Sequence, residues 1–314
     1  MTRRQAIVAA VGFALCMAVP FVIEQDYLLT VMFRVFLFAG VGMAWNIVGG
    51  YAGQLSLGHV AYFGLGGYGL ALLHNKLGFS PWLALVGGVV LAVAAAFPIG
   101  RVAFRLRGPY FALATIAFAE VLRHCAKNLH DVTGGDVGVQ VPQLFISDHS
   151  RMFYWAAVIL TALAFTITVF ILRSRFGYSL QAIREDEDTA LACGIDATRT
   201  KLTALMISAA LTAVGGALYA SLYLFVVPDQ MLSIDISTSN IAIPVMLGGA
   251  GTLLGPLVGA ALLVTANELF KNVFHEAHLL IYGVLIVLVV LFLPEGIVGA
   301  ISGHLRARAA RTRS

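Results

Sequence analysis

The chain has 314 residues, of which 60% are hydrophobic and only 11% are charged, and its formal net charge is +4. A soluble domain carries about 25% charged residues, so this composition excludes an ordinary water-soluble globular protein. The basic residues collect between apolar runs and at the C-terminus, as in membrane proteins, and no stretch resembles a nucleic-acid-binding module. We therefore expect a lipid bilayer around the chain and no nucleic acid partner.

Ten apolar segments follow one another along the chain, and about 20 helical residues are enough to cross the hydrocarbon core. They predict an all-α, polytopic integral membrane protein in which residues 1–314 form a single transmembrane domain. The third, fifth, eighth and ninth segments are short, so some of these helices are expected to be broken or re-entrant. The predicted segments are Ala6–Ile23, Tyr27–Ile47, His59–Leu73, Pro81–Pro98, Pro109–Leu122, Met152–Leu172, Leu202–Tyr223, Ser239–Gly249, Leu254–Glu268 and Leu279–Leu293.

The basic residues predict the orientation of these segments. With the N-terminus inside and ten alternating spans, the inner side receives 14 Lys and Arg residues and the outer side receives five. Because short cytoplasmic loops are enriched in Lys and Arg, both termini are expected in the cytoplasm, including the basic tail of residues 303–314. Arg34 is the basic residue that falls inside a span, and we expect its side chain to extend to the membrane surface, with a role in the substrate path as the alternative.

Two glycine-rich stretches resemble each other, GGYAGQLSLG at 49–58 and GGAGTLLGP at 248–256. A repeat between two halves of a transporter often marks the substrate path, so these stretches predict elements of such a path. For the polar residues of the first stretch, capping of a helix start is an open alternative. The candidate path residues are Gln54, Ser56, His59, Gly249 and Gly251.

The segment of residues 173–201 is too polar to span a membrane and lies on the inner side by the charge rule. Its pattern predicts short amphipathic helices joined near Gly194, with the charged residues 184–188 facing water. A plain solvated loop is the alternative, although loops of this length are often functional. The predicted apolar stripe consists of Ala182, Ile183, Ala190 and Leu191.

Several kinds of chemistry have no support in the sequence. It contains no GxxxxGK[ST] phosphate loop and no GxSxG elbow, so we expect no enzymatic activity, no cofactor and no ATP hydrolysis by this chain. An ion-coupled secondary transporter of small polar metabolites would carry acidic residues at mid-membrane, which the predicted spans lack. An intramembrane enzyme would need a nucleophile or a metal-binding set within the spans, and neither is apparent.

Four segments resemble, in order, the branched-chain amino acid permease family of ATP-binding-cassette (ABC) importers. They are GGYAGQLSLGHVAYFGLGGY at 49–68, RGPYFALATIAFAEVLR at 107–123, FGYSLQAIREDEDTALACGI at 176–195 and LGGAGTLLGPLVGA at 247–260. The resemblance implies the ABC importer permease fold in a bacterial inner membrane. Branched-chain amino acids are the implied cargo, with other amino acids, urea, amides and aromatic acids left open.

The resemblance also implies partners and a site. A second permease of a different type, two cytoplasmic ATPase subunits and a periplasmic substrate-binding protein would complete the importer. Residues of about 176–200 would form the coupling loop that docks in a groove of an ATPase subunit, with Gly194 in the turn between its helices. The implied coupling residues are Ala182, Arg184, Glu185, Glu187, Ala190 and Gly194.

Two features are predicted on the outer side. Arg123 follows Glu120 by three residues, a spacing that predicts a local ion pair on a helix, with a contact to the binding protein as the alternative. The loop DVTGGDVGVQVP at 131–142 departs from the family pattern at Asp136, so the resemblance assigns no role to that residue.

Overall fold

The computed structural model describes residues 3–23, 25–145, 149–274, 283, 287 and 296–300. These residues are mostly helical, which confirms the predicted all-α class for this part of the chain. Two short π-helical segments, Ile47–Tyr51 and Ile236–Ala242, and one 3-10 turn, Val19–Phe21, interrupt or extend the α-helices. The elements are α1 (Arg3–Ala18), α2 (Asp26–Asn46), α3 (His59–Leu77), α4 (Pro81–Ala103), α5 (Pro109–Asn128), α6 (His130–Thr133), β1 (Val139–Gln140), α7 (His149–Arg173), α8 (Arg175–Glu185), α9 (Glu187–Ala192), α10 (Ala197–Tyr223), β2 (Phe225–Val226), α11 (Pro228–Met231), α12 (Ile243–Gly249) and α13 (Gly255–Phe274).

Five helical stretches among the described residues are long and apolar enough to cross a membrane. The fifth is a stretch interrupted by a π segment, and it contains the short eighth segment of the sequence prediction, Ser239–Gly249. The predicted tenth segment, Leu279–Leu293, lies outside the described residues except for Gly283 and Val287. The five stretches are Asp26–Tyr51, Pro81–Ala103, Ser150–Arg173, Ala197–Tyr223 and Pro228–Gly249.

The helices run between two ends of the molecule. At one end, which we call the glycine end, Gly50 and Gly251 meet beside α8. At the other, which we call the sheet end, β1 pairs antiparallel with β2, and α6 and α11 pack close by. Among the described residues, the connection after α2, the connection before α5 and the helices α8 and α9 lie at the glycine end, and the connections after α3, α5 and α10 lie at the sheet end.

Helix α2 lies at the centre and packs against α7, α10 and α13, while α3 packs against α4 and α10. Phe33, Phe63 and Trp45 are fully buried in this core. Trp45 also donates its indole N–H to the carbonyl of Ser56 at 2.6 Å, so the polar atom of this large side chain is satisfied. The core thus fixes the end of α2 relative to the start of α3.

An ion-pair cluster at the sheet end ties α5 to α11. Arg123 contacts Glu120 at 2.7 Å, which confirms the predicted local pair, and also contacts Asp229 at 2.9 Å. Lys127 lies 2.8 Å from Asp229 and 3.6 Å from the exposed Asp136. Asp229 thus accepts hydrogen bonds from two basic side chains that lie one turn apart on α5. The pairing with α11 was not visible in the sequence because Asp229 follows Arg123 by 106 residues.

Candidate functional site

The polar segment after α7 forms two short helices, α8 and α9, at the glycine end. They are joined at Asp186, whose backbone is extended and whose carboxylate accepts the N–H of Thr189 at 2.5 Å at the start of α9. Hydrogen bonds from Thr189 lower the pKa of Asp186, as expected for a carboxylate that caps a helix. Gly194, with φ +84°, instead leads from α9 to α10. Gly194 therefore lies in a left-handed turn between two helices of the segment, and a further junction at Asp186 joins α8 to α9.

The helix pair buries part of its own apolar stripe. Ile183 of α8, Ala190 of α9 and Ala197 of α10 are buried together in a small cluster. Leu191, in contrast, is 47% exposed. The prediction that Ala190 faces a partner is wrong, because the pair folds back on the first turn of α10 and covers it. Leu191 and the exposed Glu185 remain on the outer side of the pair.

Arg184 connects the helix pair to the glycine end. Its Nη1 donates a hydrogen bond to the carbonyl of Gly50 at 2.7 Å, and its side chain also packs over Gly53 and Gly251. The sequence placed Arg184 on the water-facing side of the segment. Arg184 is exposed, as predicted, and its guanidinium also reaches across to the end of the α2 stretch.

The two glycine-rich stretches that look alike in the sequence meet in space. A Cβ at Gly50 would lie 2.5 Å from the backbone nitrogen of Gly251, so only glycine permits this approach. The buried Asn46 holds the contact, since its Oδ1 accepts the N–H of Gly251 at 2.8 Å and its Nδ2 donates to Thr252 at 2.8 Å. Gly249 beside them also has positive φ. Sequence reasoning missed Asn46, although it is an amide in an apolar run just before Gly49 and Gly50.

Two further ion pairs hold the helix pair in place. Lys201 of α10 is 1% exposed and contacts Glu187 at 2.7 Å, with its ammonium 5.7 Å from the ring of Phe104. Arg107, before α5, binds Asp188 through two hydrogen bonds of 2.7 and 3.0 Å, which lower the pKa of that carboxyl. Glu187 therefore faces α10. These partners were not predicted. Arg107 and Asp188 are 81 residues apart, and nothing in the sequence indicates that Lys201 is buried.

Ser56 and His59, predicted for the path, are buried between helices. The Ser208 hydroxyl donates to the Ala44 carbonyl at 2.6 Å, so it accepts from Nε2 of His59 at 2.8 Å. Nδ1 of His59 then accepts from the Ser56 hydroxyl at 2.8 Å, and a neutral imidazole satisfies every member. Gln54 is half-buried, and its backbone N–H donates to the carbonyl of Val48 in the first π-helical segment at 3.0 Å. In this conformation, Ser56 and His59 are 1% and 0% exposed and join helices.

A cavity of about 490 Å³ opens near the sheet end, between α2, α10, the second π segment, α12 and α13. Arg34 lines it, forms an ion pair with Glu268 of α13 and donates from Nε to the hydroxyl of Tyr223 at 2.8 Å. Glu268, a partner from a distant helix, thus binds Arg34 at this cavity. The other lining residues are Phe38, Tyr219, Asp229, Gln230, Ser233, Asp235, Ile236, Ser239, Asn240, Pro244, Leu263, Val264, Asn267 and Lys271.

Comparison with known proteins gives consistent matches. Residues 27–290 match the family model described as "Branched-chain amino acid transport system / permease component". The high-affinity branched-chain amino acid transport system permease protein LivM of Salmonella typhimurium is 30% identical, over 99% of this chain and 79% of the relative. LivM of Escherichia coli K12 is 31% identical, over 94% and 75%. The permease protein LivH of E. coli K12 is 27% identical, over 83% and 91%. No solved structure matches significantly.

Proposed function

Since the chain belongs to the family of branched-chain amino acid transport permeases, as its motifs predicted, we propose that it is the LivM-type permease subunit of an ATP-driven importer. It would move branched-chain amino acids from the periplasm to the cytoplasm. The observation that carries this proposal is the helix pair α8–α9, whose Arg184 binds the backbone of Gly50 at the junction of the two glycine-rich stretches. The names of the LivM and LivH relatives support the cargo.

The importer would contain several subunits around this chain. We propose a second, LivH-type permease beside it, two ATPase subunits below it in the cytoplasm, and a periplasmic substrate-binding protein above it. This chain would be a single transmembrane domain of ten spans in the inner membrane, with residues 279–293 as the last span. The alternation of connections between the glycine end and the sheet end supports this arrangement.

The helix pair gives the ATPase subunits a way to act on the pore. An ATPase groove would receive the outer side of α8 and α9, where Glu185 and Leu191 are exposed. The ion pair between Glu187 and the buried Lys201 ties α9 to α10, so a displacement would move the helix pair as one body. Through its hydrogen bond, Arg184 would then displace Gly50, which lies where the α2 stretch and α12 both end. ATP-driven displacement would in this way shift the balance between two packings of the permease.

The first expected result concerns the energy source. In proteoliposomes, we expect the complete complex with its binding protein to accumulate leucine only with ATP. The permease pair without ATPase subunits should accumulate none under an imposed proton or sodium gradient. The measurement is uptake of radiolabelled leucine, with urea, acetamide and phenylalanine as competitors. Uptake driven by an ion gradient would assign the chain to the secondary transporters. Stronger inhibition of labelled leucine uptake by urea or acetamide than by unlabelled leucine would reassign the cargo.

The second expected result concerns orientation. Cys125 near the sheet end and Cys193 near the glycine end are both exposed, and they give two matched single-cysteine variants. In intact cells whose outer membrane is permeabilised, a membrane-impermeant maleimide should label the Cys125 variant but should label the Cys193 variant only after lysis. A reporter active only in the cytoplasm should be active when fused at Ser314. The opposite labelling pattern would invert the proposed topology.

A further inference from the structure

The cavity near the sheet end has a charged layer above an apolar layer. Helix α2 runs from the sheet end towards the glycine end, so Phe38 lies one turn deeper than Arg34. Helix α13 runs in the opposite direction, so Val264 lies one turn deeper than Glu268. Leu263 joins Phe38 and Val264 in the deeper layer. Arg34 and Glu268 therefore lie closer to the sheet end than the apolar layer does.

The charged layer has hydrogen-bonding capacity to spare. Arg34 uses Nη1 for Glu268 and Nε for the hydroxyl of Tyr223, while its Nη2 has no acceptor among the described residues. Glu268 also lies 3.9 Å from the ammonium of Lys271. The side chains of Arg34 and Glu268 are 28% and 13% exposed, and both line the cavity. Ionisable residues within membrane spans are costly and mark substrate pathways.

The cavity has a closely packed side towards the glycine end. A Cβ at Gly42 of α2 would lie 2.9 Å from Val245 and 3.4 Å from Pro256, so the three elements touch below the apolar layer. The helices α2, α12 and α13 therefore pack together on the glycine-end side of the cavity. Its volume falls in the range of about 300–1,000 Å³ that is usual for small-molecule sites.

We propose that this cavity is a binding site for a zwitterionic α-amino acid with an aliphatic side chain, an inference that rests on the proposed function. Arg34 binds the carboxylate through its terminal nitrogens. Glu268 accepts hydrogen bonds from the ammonium group. The aliphatic side chain lies against Phe38, Leu263 and Val264. The permease itself then selects the cargo after the binding protein has released it.

The ion pair explains why a zwitterion fits and a singly charged solute does not. When a zwitterion enters, Arg34 and Glu268 each exchange one charged partner for another, so no charge is left unpaired. A carboxylate without an ammonium group would leave Glu268 only the longer contacts with Lys271 at 3.9 Å and Tyr27 at 3.3 Å, and an amine without a carboxylate would leave Arg34 without a charged partner. An unpaired charge in a largely buried site is costly. Arg34 and Glu268 therefore disfavour solutes that carry only one of the two charged groups. When the cavity is empty, the two side chains pair with each other.

The experiment measures how a ligand protects a cysteine placed in the cavity. Asn240→Cys is introduced into the full permease complex without binding protein, with Cys16, Cys125 and Cys193 replaced by serine. A water-soluble maleimide is added from the sheet end. Leucine at about ten times its dissociation constant should slow labelling about tenfold, because a single site is then about one-eleventh free. Isoamylamine and 4-methylpentanoate at the same concentration should not slow it. Val137→Cys, in the exposed outer loop, is the control whose labelling leucine leaves unchanged.

The charged pair is then removed without leaving either partner unpaired. In Arg34→Gln combined with Glu268→Gln, the leucine concentration that protects the introduced cysteine should rise at least about tenfold, the loss expected from one charge-assisted hydrogen bond. Co-purification of the ATPase subunits shows that this variant assembles. Protection that persists unchanged in the double variant, equal protection by isoamylamine, or no protection in a complex that imports leucine would each overturn the inference. A wild-type complex that imports no branched-chain amino acid would instead refute the proposed function.

Discussion

Replacing Arg184 with alanine should separate ATP hydrolysis from transport. The substitution removes the hydrogen bond from the guanidinium to the Gly50 carbonyl, the described polar contact between α8 and the end of the α2 stretch. A hydrogen bond from a charged donor contributes at least about 1.5 kcal/mol, which is roughly tenfold in the balance between two packings. We expect leucine uptake per ATP hydrolysed to fall about tenfold in proteoliposomes. ATPase subunits should still co-purify, because the outer side of the helix pair is unchanged.

The matched control for this variant is Arg199→Ala. Arg199 lies in the same polar region of the chain, is 88% exposed, and contacts its neighbour Asp196 at 2.9 Å. Losing such a surface pair has little effect, so uptake should stay at the wild-type level. Normal coupling in Arg184→Ala would show that the contact with Gly50 carries no movement. Loss of the ATPase subunits from the complex would instead place Arg184 in the docking surface.

The Gly50→Ala substitution should abolish uptake. The added methyl group would overlap Oδ1 of Asn46 and approach the backbone nitrogen of Gly251 to 2.5 Å. Asn46 would lose its hydrogen bonds to Gly251 and Thr252, each contributing about 1 kcal/mol. Overpacking against backbone that cannot move aside costs about 1–3 kcal/mol more. Together they exceed about 3 kcal/mol, roughly a hundredfold, so uptake should fall to background.

Gly12→Ala is the control for Gly50→Ala. A Cβ at Gly12 would find no described atom within 4 Å, and Gly12 lies within α1, where alanine is a better helix former than glycine. This variant should take up leucine at the wild-type rate and aggregate at the same temperature in detergent. For Gly50→Ala the aggregation temperature should fall. Full uptake by Gly50→Ala would mean that the close approach of the two glycine-rich stretches is not needed for transport.

The sequence by itself determined the class of this protein and much of its layout. Apolar runs of about 20 residues predict membrane-spanning helices, because a backbone in lipid must satisfy its own hydrogen bonds, and five such helical stretches are present among the described residues. The motifs at 49–68, 107–123, 176–195 and 247–260 identified the permease family, and the comparisons confirmed it. The pair of Glu120 and Arg123 was also predictable, because neighbours three residues apart on a helix always meet.

The tertiary structure alone decided which distant residues are partners. Local patterns show which face of a helix is apolar, but they do not show what covers that face. Ala190 was therefore expected on a docking surface and lies instead against Ile183 and Ala197. In the same way, local patterns do not show that Arg34 pairs with Glu268, 234 residues later in the chain. Long side chains such as these reach several places, and only the packing of the helices selects one.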